Sequence, residues 1–382
     1  MLLFMNNILI LIPDKLRKPM GGMGEQARNL LASFPKDYRF NIIGSADEEQ
    51  YTEDNYTFYP VMDIKTMNGN PDPICNTFLN QSLFIEKGMS LDIKPDIVHA
   101  FDWSTMWAGR ILAKHYNVPL VTTVQLSIAK HITDIHPLQS MQHQMACSIE
   151  MSGLIESNAI VQVSESYMNL FPSFLKSKTI VIHNGINLNE WIKKDDVVFP
   201  GINKTKLVYI GRYAEMKNIQ SLLDAKIPND IDLIFIGNSK GGSEDLFQAM
   251  IKYCKDTPNA YYVGEKFGQE KIDWLMSADA VIVPSIHEPF GIVALEALAS
   301  KSILLSSFVN GMGDFLNEDS AINCGITSES ISKAINNFLI LSENDKQRMI
   351  DNGINICDSH SWVKMAQSLQ LVYNEIIKLN ND

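Results

Sequence analysis

Two doubly wound α/β domains are the fold class this sequence predicts, on three observations. The chain has 382 residues, more than one ordinary hydrophobic core accommodates. Short apolar runs alternate with helical patterns through both halves, as parallel strands joined by crossover helices require. The alternation pauses once, over residues 193–204, where charges, Pro200 and Gly201 collect; that composition suits a linker.

The first half offers strands at residues 7–13, 39–43, 96–101, 120–124, 159–163 and 179–183, with helical stretches at 25–33, 106–114 and 141–156. The second half repeats the rhythm with strands at 206–210, 233–236, 261–263, 280–284 and 303–306, and helices at 269–277, 291–299 and 328–341. Near the end, Trp362, Met365, Ala366, Leu369, Val372, Tyr373, Ile376 and Ile377 share one helical face, which must dock on something. Ligands in doubly wound sheets bind outside the carboxyl ends of the strands, here in a cleft expected between the two domains.

Composition excludes several classes of partner. A net charge of −12 with no long Lys/Arg run disfavours nucleic acid and anionic membranes. Cys75, Cys147, Cys254, Cys324 and Cys357 are scattered and form no CxxC pair, so reduced thiols in a cytoplasmic protein are expected and no metal cluster is. The apolar start lacks a basic region and a small-residue cleavage site, and reads as a buried first strand rather than a signal peptide. No apolar run reaches the roughly 18 residues that a membrane span needs.

Three motifs carry chemistry. Pro19-Met20-Gly21-Gly22-Met23-Gly24 follows the first strand and opens a helix. Glycines there admit a ligand to the backbone, and the helix start offers free N–H groups to an anion. Gly22, Gly24 and Ala27 fit a loose dinucleotide fingerprint, but polar residues 14–18 separate them from the strand, where that fingerprint needs a tight turn. Gly211-Arg212 directly follows a strand, with Lys217-Asn218 just beyond; two cations at a strand end suit a diphosphate. After the strand at 280–284 come Glu288 on a loop and Glu296 on a helix, with seven residues between them. Carboxylates as a class can accept hydrogen bonds from sugar hydroxyls. The bland alternatives are a plain turn, solvated surface cations, and capping or surface glutamates.

Taken in order along nearly the whole chain, these motifs resemble retaining glycosyltransferases of GT-B fold, in the glycogen-synthase-like, group 1 superfamily. Gly21-Gly22-Met23-Gly24 looks like the family's N-terminal glycine loop. Pro95-Asp96-Ile97-Val98-His99-Ala100-Phe101-Asp102-Trp103 is similar to its "DIVHAHDW" strand end, and His183-Asn184-Gly185-Ile186-Asn187 to its "NGID" turn. Gly211-Arg212 with Lys217-Asn218 resembles its diphosphate clamp, and Glu288 to Glu296 its E-x7-E signature. Ser361-Trp362 and the amphipathic helix resemble its C-terminal helix, which crosses back to the first domain.

The resemblance implies an α/β, GT-B architecture of two Rossmann-like parallel-sheet domains with an interdomain cleft. Residues 1–198 would form the acceptor-side domain, 199–360 the nucleotide-sugar domain and 361–382 the returning helix. It implies that Arg212 and Lys217 neutralise the departing diphosphate, that Glu288 faces the sugar hydroxyls and that Glu296 holds the ribose. Backbone N–H groups at Phe290, Gly291 and Ile292 would touch sugar and phosphate. Val263 and Gly264 would line the base, and Gly21 and Gly22 would close on the diphosphate. The donor would be a UDP- or ADP-sugar, weakly favouring glucose, and the acceptor a carbohydrate or other hydroxyl. No cofactor or metal ion is expected.

The chain departs from the family at two places. Phe101 stands where the family has its second histidine. Gln125, in Thr122-Thr123-Val124-Gln125, stands where the family has the histidine of "TVH" near the reacting sugar. Glutamine donates and accepts hydrogen bonds but carries no charge. Two readings therefore stand beside the transferase: a catalytically silent nucleotide-sugar-binding protein of the same fold, and an epimerase. Keeping Arg212, Lys217, Glu288 and Glu296 together favours transfer.

Overall fold

The apolar runs become strands in a computed structural model of the chain, which describes residues 6–17, 22–46, 48–62, 73–128, 141–169, 171–203, 205–240 and 242–381. The chain divides into two units, Met1–Asn184 with Trp362–Asp382, and Gly185–Ser361. Residues 193–204 fall inside the second unit.

Unit 1 runs β1 (Asn6–Ile12), α1 (Gly22–Ser33), β2 (Tyr38–Ser45), β3 (Tyr51–Glu53), β4 (Tyr56–Val61), α2 (Pro73–Ser90), β5 (Ile97–Phe101) and α3 (Trp103–Tyr116). It continues through β6 (Leu120–Val124), α4 (Met141–Glu156), β7 (Ala159–Gln162), α5 (Glu165–Met168), α6 (Ser173–Lys176) and β8 (Thr179–Val181). Its sheet has the order β3-β4-β2-β1-β5-β6-β7-β8. Every residue of β5 and β6 is buried, because helices cover both faces of a parallel sheet. The β3–β4 pair is antiparallel and was not expected. Its signal is the Asp54-Asn55 turn between aromatic and Thr-rich runs, a hairpin pattern that the parallel rhythm obscures.

Unit 2 runs β9 (Thr205–Ile210), α7 (Ile219–Leu223), β10 (Ile231–Ile236), α8 (Glu244–Asp256), β11 (Ala260–Tyr262), α9 (Gly268–Met276), β12 (Ala280–Val283), α10 (Ile292–Ala299), β13 (Ile303–Ser306), β14 (Ile322–Asn323), α11 (Ser328–Leu339) and α12 (Glu343–Ser359). Its sheet order is β11-β10-β9-β12-β13-β14, and its strands pair in parallel. Leu207, Leu233, Phe235, Ile331 and Phe338 belong to one core cluster on this sheet. Strand order reverses between β9 and β12. Loops leaving those two strands diverge to opposite faces, and the crevice between them is where such sheets bind ligands.

The last helix, α13 (Trp362–Asn381), belongs to unit 1. Trp362, Met365, Ala366, Leu369, Val372 and Tyr373 are buried, while Ile376 and Ile377 are half-buried. The helix packs on α1. Tyr38 donates its hydroxyl to Asn374 Oδ1 at 2.6 Å, and the rings of Phe34 and Tyr373 stack at 5.9 Å. The 3.6-residue period of the apolar face thus translates into one buried stripe.

Candidate active site

Three glycines in unit 2 end adjacent strands. Gly211 follows β9, Gly237 follows β10, and Gly264 lies two residues after β11. Gly211 N–H donates to Ile236 O at 3.1 Å, and Gly237 N–H to Gly264 O at 3.1 Å. Gly237 has φ +136°, and a Cβ there would lie 1.9 Å from the carbonyl oxygen of Gly211. Only glycine permits this approach, so the strand ends expose bare backbone. Gly237 escaped the sequence reading because a lone glycine at a strand end carries no spacing signal. Val263 N–H is committed to Phe235 O at 3.1 Å, which fixes the segment carrying Val263 and Gly264.

Arg212 emerges from this edge and is exposed. Its carbonyl accepts the hydroxyl of the buried Tyr209 at 3.1 Å. Burial pushes the Tyr209 phenol well above its usual range; the nearby Glu288 charge adds to the rise and Arg212 opposes it. Lys217 ends a short 3-10 turn, Glu215–Lys217. Asn218 then takes φ +55° and ties the turn to the segments that follow β12 and β14 by donating to Pro284 O at 3.0 Å and Ile326 O at 2.8 Å.

This turn delivers the Lys217 ammonium to Glu288 Oε2, forming an ion pair whose side chains are 17% and 12% exposed. Ser285 Oγ donates to the same carboxylate oxygen at 3.4 Å. The Glu288 backbone is held from both sides: its N–H donates to Asn310 Oδ1 at 3.1 Å, and its carbonyl accepts Gly311 N–H at 3.1 Å. Asn310 was not foreseen; it opens a short 3-10 turn, Asn310–Asp314, 22 residues away in sequence.

Helix α10 opens at Gly291, whose φ is +104°. A Cβ there would strike Met312 Cγ at 2.5 Å and approach Glu288 Cγ at 3.4 Å. Glu288 therefore sits beside the helix start, where the first N–H groups, that of Ile292 among them, have no intrahelical partner. Phe290 is buried and anchors the turn. Glu296, the fifth residue of α10, is 9% exposed. Its Oε1 lies 2.5 Å from Nζ of Lys271 on α9. Both signature carboxylates are thus paired with a lysine. Lys217 was foreseen as a cation for the diphosphate but not as the partner of Glu288; Lys271 was not foreseen at all, because it sits in an amphipathic helix 25 residues upstream of Glu296.

Asp232, half of the Asp230-x-Asp232 pair, lies near the start of β10 and is 1% exposed. It accepts Lys206 Nζ at 2.5 Å and Asn203 N–H at 3.1 Å. Among the described residues no group of three or more His, Cys, Asp or Glu side chains is placed to hold a metal ion.

In unit 1, Gln125 follows β6. Its N–H donates to Asp102 Oδ1 at 2.6 Å, and its side-chain Nε2 donates to Gln26 Oε1. Gln26, fully buried in α1, donates in turn to Asn184 Oδ1 at 2.6 Å. Asp102 takes φ +59° and also accepts Leu126 N–H at 3.2 Å. Burial pushes its carboxyl up to about 7, and the Glu150 charge adds to the rise while the two N–H groups oppose it. Glu150 pins the next residues, accepting Ser127 Oγ and Ile128 N–H at 3.0 Å each. Gly22 begins α1, whereas Gly21 lies outside the described residues. Among the described residues no helix is long and apolar enough to cross a membrane.

Residues 193–356 match the family model "Glycosyl transferases group 1", and residues 20–190 match "Glycosyltransferase Family 4". Among solved structures, sucrose-phosphate synthase from Thermosynechococcus elongatus superposes with a TM-score of 0.83 at 18% identity, covering 98% of this chain and 100% of its own. Anabaena HepE in complex with UDP and glucose superposes with a TM-score of 0.71 at 14% identity, covering 96% and 99%. These likenesses give the fold, GT-B with two Rossmann-like domains. In sequence, α-maltose-1-phosphate synthase of Mycobacterium tuberculosis is 23% identical over 73% of this chain and 79% of its own length. Glycogen synthase of the same species is 29% identical over 60% and 56%. The chain belongs to the group 1 superfamily of GT-B glycosyltransferases.

Proposed function

We propose that the protein is a retaining glycosyltransferase that moves a hexose from a nucleoside-diphosphate sugar to a carbohydrate or other hydroxyl acceptor. The observation that carries this reading is the Lys217–Glu288 pair beside the start of α10, at the point where the strand order reverses. It sets a cation for a diphosphate and an acceptor for sugar hydroxyls in one place. Arg212 and Lys217 stabilise the leaving diphosphate as charge develops, and a cation already held in position costs no reorganisation. Glu288 fixes sugar hydroxyls, Glu296 holds the ribose, and N–H groups of Phe290, Gly291 and Ile292 meet sugar and phosphate. Val263 and Gly264 line the base.

The donor is a UDP- or ADP-sugar, with glucose favoured. Support comes from the glycogen-synthase-like stretch at residues 96–103 and from a neighbour of the same fold that holds UDP and glucose. Protein cations serve the diphosphate, so no metal ion is required. A second reading, a silent nucleotide-sugar binder, is favoured by one observation: the Gln125 side-chain amide is already engaged by Gln26.

Incubation with a panel of nucleotide sugars and acceptors tests both readings. Nucleoside diphosphate release is followed with and without a chelator, and the anomeric configuration of the product is read by NMR. Transfer with retention, unchanged by EDTA, is expected. Inverted product refutes retention, and loss with EDTA and rescue by Mn²⁺ refutes metal independence. Diphosphate binding without transfer or hydrolysis establishes the silent binder.

A further inference from the structure

The second lysine–carboxylate pair enters the reading above only through Glu296, and Lys271 has no part in it. Lys271 is the fourth residue of α9, and the buried Ile272 and Leu275 anchor that helix. Its ammonium lies 2.5 Å from Glu296 Oε1, with the two side chains 23% and 12% exposed. Glu296 sits five positions after Gly291, so at the helical rise its backbone is about 7.5 Å from the start of α10. That separation is within the screening length of about 8 Å at physiological salt. A lone carboxylate there would repel an anion held at the helix start, more strongly for being partly buried.

We propose that Lys271 is a donor-binding residue that neutralises Glu296. The carboxylate can then read a ribose hydroxyl without repelling the adjacent diphosphate. This rests on the donor-site reading given above. It divides the work between the two lysines: Lys217 with Arg212 faces the diphosphate, and Lys271 cancels the charge of the ribose-reading group. The ligand recognised is a ribonucleoside diphosphate, in which a hydroxyl-bearing ring and a multiply charged group are joined.

Local charge provides the test. Dissociation constants of UDP, ADP, uridine and adenosine are measured by calorimetry and competition for the parent, Glu296→Gln, Lys271→Met and the double variant. The diphosphate-to-nucleoside affinity ratio removes any effect shared by both ligands, including a lost ribose contact. It should follow charge: highest in Glu296→Gln, equal in the parent and the double variant, and about tenfold lower in Lys271→Met, as expected for one charge at this range. A purely structural ion pair would shift unfolding temperatures and leave the ratio alone, and that result overturns the proposal. If Lys271→Met does not fold, Glu296→Gln still decides, since an unchanged ratio there refutes the charge argument. If the parent binds neither UDP nor ADP, the donor-site reading itself falls and the role of Lys271 with it.

Discussion

The hydroxyl of Tyr373 lies 2.6 Å from Nδ1 of His99, so the final helix meets the central sheet of unit 1 through a buried polar contact. On its other side His99 Nε2 is 2.7 Å from Thr123 Oγ1. Burial lowers the imidazole pKa from 6.5 to about 3, so the ring is neutral, with one nitrogen donating and the other accepting.

This sets a pH dependence with a definite sign. Between about pH 3 and 6.5 the unfolded chain binds a proton at His99 that the native state does not. Stability from this group is therefore lost as pH falls through that window, by up to about 1.4 kcal/mol per pH unit. Asp102 acts oppositely. Its carboxyl is raised from 3.8 to about 7, so its contribution is present below about pH 4 and lost as pH rises towards 7. The two should largely cancel between pH 4 and 6.5. Denaturant unfolding across that range should show stability rising with pH more steeply in Asp102→Asn than in the parent, and falling in His99→Gln relative to it. Parallel profiles for all three proteins would contradict the assignment.

Arg212→Ala and Lys217→Ala should each slow transfer by roughly 100- to 1000-fold, or about 2.7–4 kcal/mol of transition-state stabilisation. Their stabilities should differ. Arg212 is exposed, and its loss should leave the unfolding midpoint nearly unchanged. Lys217→Ala strips the partner from Glu288, which costs about 1–3 kcal/mol. Adding Glu288→Gln should recover stability and not rate. Parent-like turnover by both folded single variants would remove the clamp.

Gly237→Ala and Gly264→Ala separate crowding from backbone preference. Both residues have positive φ, a strain of about 1–2 kcal/mol for alanine. At Gly264 nothing lies within 4 Å of an added Cβ, whereas at Gly237 the Gly211 carbonyl is 1.9 Å away. Gly264→Ala should cost about that strain alone. Gly237→Ala should cost several times more and displace the segment carrying Arg212, read as a joint loss of midpoint and diphosphate affinity. Equal costs would mean that the β9 and β10 ends are not so tightly apposed.

Gln125→Ala should slow transfer by about 1–3 kcal/mol while diphosphate binding, proposed for unit 2, persists. It should also lower stability, because the buried Gln26 loses a partner. Gln125→His is expected to raise the rate. A Gln125→Ala protein with parent rates would confine this residue to structure.

Much of the candidate site was legible because its parts are local. A glycine and an arginine after an apolar run, or two glutamates across a strand–loop–helix junction, are fixed by distances of a few residues. Lys271, Asn310 and Gly237 were not legible. Each matters through a partner on another element, Glu296, Glu288 and Gly211 respectively. The β3–β4 hairpin was missed for a different reason: its short antiparallel pairing interrupts a parallel rhythm that dominates the rest of unit 1.

By itself the sequence determined two α/β domains, the order of most strands and helices, and the apolar stripe of the last helix. Period and turn chemistry act over neighbouring residues and need no distant partner. The tertiary structure alone decided that the carboxylates Glu288 and Glu296 each take a lysine, and that Gln125 takes the buried Gln26. Such pairings depend on where separate elements cross. The physical reason is that a partly buried charge or amide accepts whatever complementary group the fold brings within about 3 Å, and no spacing along the chain encodes that meeting.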